Sequence, residues 1–205
     1  MRRESSTVVV LVGEIGDGLL AALAKSPGIS VVRAPAAGTG KPADSGPDAA
    51  RPGWEAGALA LREAARRRSM YVIVPDDPLA EVAAGWRAMW AGPGGAAGFE
   101  EHAAQVLAAW RDKRFELPDY YLVVAPAGDG AAGPDLYLGP LRAVRPRRVA
   151  VAGVAGRPGQ ASALVDTLRS LPQGPWWPPL EELLDAARHF YAGGLAETQQ
   201  AGGDG

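Results

Sequence analysis

Residues 7–18 read TVVVLVGEIGDG, and this stretch decides the fold class. From Thr7 to Val12 the residues are apolar or β-branched, without alternation. A short unbroken run of this kind marks a strand buried on both faces, the usual state in a parallel sheet covered by helices on either side. The run ends at Gly13. Behind it a glycine-rich turn leads into an apolar helical segment at 19–25, Pro27-Gly28 turns the chain, and ISVV at 29–32 supplies a second strand. A strand, a helix and a strand in so few residues make a tight β-α-β unit.

Outward from that unit the same alternation repeats. MYVIV at 70–74, YYLVVA at 120–125 and VAVAGV at 149–154 read as further strands. Between them, Trp54, Ala58, Leu61 and Ala65 share one helical face, as do Leu79, Val82, Trp86, Met89 and Trp90. Phe99, Ala103, Val106, Leu107 and Trp110 form another such stripe, and Ala161, Leu164, Leu168 and Leu171 a fourth. The last helix is expected over 180–191. Residues 136–138, with 141–144, are expected as a short, antiparallel edge strand. This predicts an α/β three-layer sandwich with a mainly parallel sheet of five or six strands and six helices. The pattern resembles the Rossmann-like and flavodoxin-like class at the level of architecture. The expected organisation is one domain over 1–195, with 34–53 as a flexible loop or insertion and 196–205 as a disordered tail.

Composition narrows the chemistry. The 205 residues include 40 Ala, 27 Gly, 18 Pro and 18 Arg against 3 Lys, a bias pointing to a high-GC, bacterial genome. The absence of cysteine removes disulfides, thiolate metal sites and cysteine nucleophiles together. A net charge of −2 argues against a globally basic nucleic-acid binder. The opening MRRESSTVVVLVG is too short in apolar residues for a secretory core, and no stretch has the roughly 18 apolar residues of a membrane span. The expectation is a soluble, cytoplasmic protein.

In an open α/β sheet the ligand lies beyond the carboxyl ends of the strands. The carboxylates placed there are Glu14 and Asp17 after the first strand, Asp76 and Asp77 after the 70–74 strand, and Asp129 after the 120–125 strand. Glu14, Asp76 and Asp77 are the candidate ligands for Mg²⁺, which prefers oxygen donors. Their layout resembles that of acidic-pocket phosphoryl-transfer enzymes of Rossmann-like fold. Such enzymes add a lysine or other group for phosphate, and the three lysines here are Lys25, Lys41 and Lys113. Asp77 followed by Pro78 is also an ordinary helix N-cap. The turn after the first strand spaces its glycines G-x-x-G-x-G, unlike the dinucleotide or phosphate-loop signatures, and Glu14 and Asp17 would repel a phosphate there.

Two other features stand out. Arg142, Arg145, Arg147 and Arg148 form the densest basic patch, and Trp176-Trp177 sits between Gly174-Pro175 and Pro178-Pro179 in a stiff non-helical segment. Trp176, Trp177, Arg145, Arg147 and Arg148 are therefore the candidate partner contacts. Neither His102 nor His189 has a metal-binding companion in sequence, and no G-x-S-x-G elbow occurs. With no complete nucleophile, acid–base pair or phosphate loop, the expectation is a non-catalytic binding or interaction protein, accessory or regulatory within a bacterial assembly. It would have a protein partner or a second copy of itself, and no cofactor. The alternative is a Mg²⁺-dependent enzyme acting on a nucleotide or phosphorylated metabolite.

Overall fold

The computed structural model describes residues 6–34, 53–92, 95–125, 135–154 and 156–202. The segment expected as a loop at 34–53 lies, for 35–52, outside the described residues, as does Asp129. Five strands alternate with helices: β1 (Thr7–Gly13), α1 (Asp17–Ala24), β2 (Ile29–Val31), α2 (Gly53–Ala64), β3 (Tyr71–Val74), α3 (Ala80–Ala91), α4 (Gly95–Arg111) and β4 (Tyr120–Ala125). A π-helical segment, Tyr137–Leu141, runs into α5 (Arg142–Val144), followed by β5 (Val149–Val154), α6 (Gln160–Arg169) and α7 (Leu180–Gly202).

All strand pairs are parallel, and the sheet order is β2-β3-β1-β4-β5. This is the expected parallel α/β architecture. The order exchanges β2 and β3 relative to the 3-2-1-4-5 arrangement of Rossmann sheets, and β1 and β3 relative to the 2-1-3-4-5 arrangement of flavodoxin sheets. From β1 the chain moves out to the β2 edge, then every later crossover moves back the other way. Right-handed crossovers must then put α1 on one face and α2, α3 and α4 on the other.

The two cores follow this division. Val9, Leu11, Ile73, Leu122 and Val124 pack with Leu20 and Leu23 of α1 and Leu164 and Leu168 of α6. Their strand neighbours Val10, Val12, Val72, Val74, Tyr121 and Val123 point the opposite way, into a larger core with Trp54, Trp86, Phe99 and Leu183 from α2, α3, α4 and α7. The unbroken apolar run of β1 is thus a strand with a core on each side.

The edge strand expected at 136–144 is absent. Asp135 Oδ1 accepts the amide hydrogens of Tyr137 at 2.8 Å and Leu138 at 2.9 Å, capping a helical turn. Leu136, Tyr137, Pro140 and Leu141 are buried, a helical spacing, and Pro140 has no N–H for a ladder. The leucine alternation suggests a strand. The aspartate cap and the proline decide for a helix.

The final helix also extends beyond the expected Tyr191 to Gly202, through Gly193-Gly194. Gly194 allows the Trp90 indole to lie against the helix backbone, where a Cβ would collide with the ring. Helix packing on Trp90 overrides the break that two glycines suggest.

Candidate functional site

The connection from β1 leaves toward one face, and those from its neighbours β3 and β4 toward the other. The carboxyl end of β1 is therefore a topological switch point, where an open sheet offers a crevice. Glu14, Asp76 and Asp77 come from loops at this point, and Asp17 opens α1. Their side chains are not gathered there. Glu14 is exposed, and Asp17 pairs with Arg33 at 2.5 Å. Asp76 Oδ2 accepts the Ala34 amide at 2.6 Å, which ties the end of β2 to β3.

Asp77 turns inward. It is buried, with Oδ1 accepting the Leu79 amide at 3.0 Å and the Tyr121 hydroxyl at 3.3 Å, and Oδ2 accepting a short hydrogen bond from Tyr137. The Leu79 contact is an Asx turn rather than the expected cap: α3 begins at Ala80, its N-cap position is Leu79, and no side chain caps it. The two tyrosines are partners that the sequence reading does not supply. A tyrosine facing the core must find a hydroxyl partner, and this is the signal that points to them. Burial pushes the Asp77 carboxyl up to about 6, outweighing the hydrogen bonds from Tyr137, Leu79 and Tyr121 that favour its charged form. Burial, then the nearby Asp77 charge, holds both tyrosine hydroxyls well above their ordinary range. Among the described residues no group of three or more His, Asp or Glu side chains is placed to hold a metal ion. Glu14, Asp76 and Asp77 do not converge.

Counted from Gly13 to Gly18, the turn after β1 also has the G-x-x-x-x-G spacing of a phosphate loop in the same strand-turn-helix setting, with Leu19-Leu20 where Lys-Ser/Thr would stand. Leu20 is buried in the α1 core, so positions 19 and 20 supply neither the cation nor the metal-binding hydroxyl of that signature. Gly13, at φ +106°, is required by packing: a Cβ there would collide with the Val124 carbonyl oxygen.

The second candidate lies at the amino ends of β4 and β5. Residues 172–179 run across them as a strap, and the arginines expected as partner contacts instead hold it down. Arg145 Nε donates to the Trp176 carbonyl at 2.6 Å and Arg147 Nη1 to the Gln173 carbonyl at 3.1 Å. Arg148, only 2% exposed, donates from Nε to Pro175, from Nη2 to Gly174 and from Nη1 to the Asp119 carbonyl, at 2.7–3.2 Å. Its guanidinium carbon lies 4.9 Å from both the Tyr120 and the Trp176 ring centroids. The planar cation is thus held by aromatic faces and by three carbonyls, which fits a delocalised, weakly hydrated guanidinium.

The tryptophans divide. Trp177 is buried; its Nε1 donates to the Pro118 carbonyl at 2.7 Å and its ring meets Tyr121 edge-on at 5.8 Å. Trp177 therefore continues the Tyr121–Asp77 cluster and locks the strap into the larger core. Trp176 faces out and remains 42% exposed. Beside it, Val144, Arg145, Pro146, Arg147, Arg148 and Pro175 line an open notch of about 120 Å³. Pockets that enclose a small molecule are several times larger, roughly 300–1,000 Å³. The notch has room for a side chain.

No family model, no curated protein and no solved structure matches this chain. What the chain can do has to come from its own side chains. Of the described carboxylates at the switch point, Asp17, Asp76 and Asp77 are spent on internal bonds and Glu14 is exposed. At the strap a rigid scaffold presents one half-exposed tryptophan beside an apolar notch. Among the described residues no helix is long and apolar enough to cross a membrane.

Proposed function

We propose that this chain is a non-catalytic interaction protein that uses its strap as a docking face and works in the cytoplasm as an accessory or regulatory component of a larger assembly. The observation that carries the reading is Trp176: a large aromatic left 42% exposed on a segment whose backbone is otherwise pinned. Arginines take the carbonyls of Gln173, Gly174, Pro175 and Trp176, and prolines stiffen the backbone. Such a residue loses little freedom on binding, and preorganised tryptophans with neighbouring arginines are the usual energetic centres of interfaces. The phosphate-loop setting with leucines in place of its functional residues supports a non-catalytic role for the other end of the sheet.

The test pairs capture with a ligand screen. The chain and Trp176→Ala are used as baits in extract from the source cells, and mass in solution is measured for both. A partner, or a second copy, held by the natural chain and lost with Trp176→Ala supports the reading. Identical capture and mass for the two overturn it. Mg²⁺-dependent nucleotide binding or turnover that Asp76→Asn abolishes would instead establish the enzyme alternative.

A further inference from the structure

We infer that the face around Trp176, Arg145 and Arg147, with the exposed Arg142 in the helical turn just before Arg145, receives an acidic, apolar-containing segment of a partner protein. This rests on the docking reading above and names the chemistry of the partner. The argument begins with charge. Arg142, Arg145, Arg147, Arg148 and Arg157 fall in the stretch 136–165, which contains no Asp or Glu, and residues 167–180 contain none either. Among the described residues, none of Arg142, Arg145, Arg147 and Arg148 is in an ion pair; the bonds from Arg145, Arg147 and Arg148 go to carbonyls, which are neutral. Elsewhere the chain does pair its arginines, as at Arg33–Asp17, Arg111–Glu181, Arg114–Glu55 and Arg188–Glu100. Among the described residues, then, these arginines gather without a carboxylate partner in a protein whose net charge is −2.

Shape then separates the anionic partners. The notch beside Trp176 is lined by Val144, two prolines and three arginines, with room for one apolar side chain. An acidic peptide can place carboxylates on the guanidiniums and an apolar side chain in the notch. Single exposed ion pairs contribute little, so the arrangement depends on several charges acting with the tryptophan. A nucleic acid would find one stacking ring and has no apolar side chain to place in the notch.

The probes are a short labelled peptide alternating Glu with Leu, the same peptide with Gln for Glu, and a single-stranded oligonucleotide of equal charge. Each is titrated against the whole chain by fluorescence anisotropy. The Glu peptide is expected to bind at low salt and to weaken as salt screens the charges, with the Gln peptide at least about tenfold weaker. Arg142→Glu and Trp176→Ala should each weaken the Glu peptide by about tenfold. The Arg142 side chain is exposed and makes no hydrogen bond or ion pair with described residues, so its reversal leaves the strap in place; circular dichroism and melting check this. Equal affinity for the Glu and Gln peptides, unchanged binding by Arg142→Glu, or tighter binding of the oligonucleotide overturns the inference. A captured partner that depends on Trp176 but not on Arg142 would keep the docking reading and remove the acidic assignment. Capture unaffected by Trp176→Ala removes both.

Discussion

The Arg148 guanidinium lies 4.9 Å from the Trp176 ring centroid, buried beneath an indole that is itself half open to solvent. The buried cation is the anchor, and the exposed ring is what it displays. Removing a buried charge from water is costly unless its donors are met, and here three carbonyls and two aromatic faces meet them.

Arg148→Met should therefore destabilise the protein by about 3–5 kcal/mol, since each carbonyl left dry costs roughly 1–3 kcal/mol. Arg148→Lys keeps the charge but loses the planar fork, and should cost about 2 kcal/mol. Urea unfolding checks both: the midpoint falls in that order. Equal midpoints for natural chain and Arg148→Met would show that the strap does not depend on its arginine.

The adjacent tryptophans should separate cleanly. Trp177→Ala empties a buried site and should cost about 3–5 kcal/mol. Trp177→Phe loses the bond to the Pro118 carbonyl and should cost about 1–2 kcal/mol. Trp176→Ala gives up the cation–π contact between a half-exposed ring and the buried Arg148, worth about 1–2 kcal/mol. Thermal melts of the three variants give the ranking, and a Trp176→Ala loss as large as that of Trp177→Ala would contradict it.

Much of this is legible in the sequence, and the reasons differ by element. β1 and β4 announce themselves because a strand buried on both faces must be apolar at every position; β5, an edge strand with Val151 44% exposed, is read from its valines alone. The strand order is not legible, since an apolar run does not say which neighbour it pairs with. The 136–144 segment reads wrongly as a strand because Leu136 and Leu138 alternate, while the deciding residues, Asp135 and Pro140, act through backbone groups. Asp77 is visible as a helix-approach residue, although its bond to the Leu79 amide closes a turn ahead of α3 instead of capping it. Its bonds to Tyr121 and Tyr137 join residues 44 and 60 positions away, which no local pattern reports. The arginine cluster is visible too, but its bonds to the carbonyls of 173–176 appear only when the strap crosses β4 and β5.

Asp77 predicts a pH dependence with a definite sign. Its folded-state carboxyl titrates at about 6, raised from 3.8, so the folded protein binds this proton more tightly than the unfolded chain. This group's contribution to stability is thus fully present below about pH 4 and is lost as pH rises toward about 6. A two-unit shift corresponds to roughly 3 kcal/mol. Asp77→Asn should flatten that decline and match or exceed the natural chain at pH 7. Unfolding free energies at several pH values between 4 and 7 measure it; parallel profiles for the two proteins would show that Asp77 does not titrate in this window.

Gly193 and Gly194 stand side by side in α7 and should respond in opposite directions. Within a helix, Gly to Ala gains roughly 0.5–1 kcal/mol by reducing the freedom of the unfolded chain. Gly193 is exposed, and a Cβ there meets nothing within 4 Å, so Gly193→Ala should realise that gain. At Gly194 the new methyl would strike the Trp90 ring. That ring cannot easily retreat, because it is packed edge-on against Trp86 at 5.6 Å and Tyr191 at 5.0 Å. Overpacking of this kind costs about 1–3 kcal/mol, more than the helix propensity returns. Gly193→Ala should therefore raise the melting temperature and Gly194→Ala lower it. Shifts of the same sign would mean that α7 is not held against Trp90 at this point.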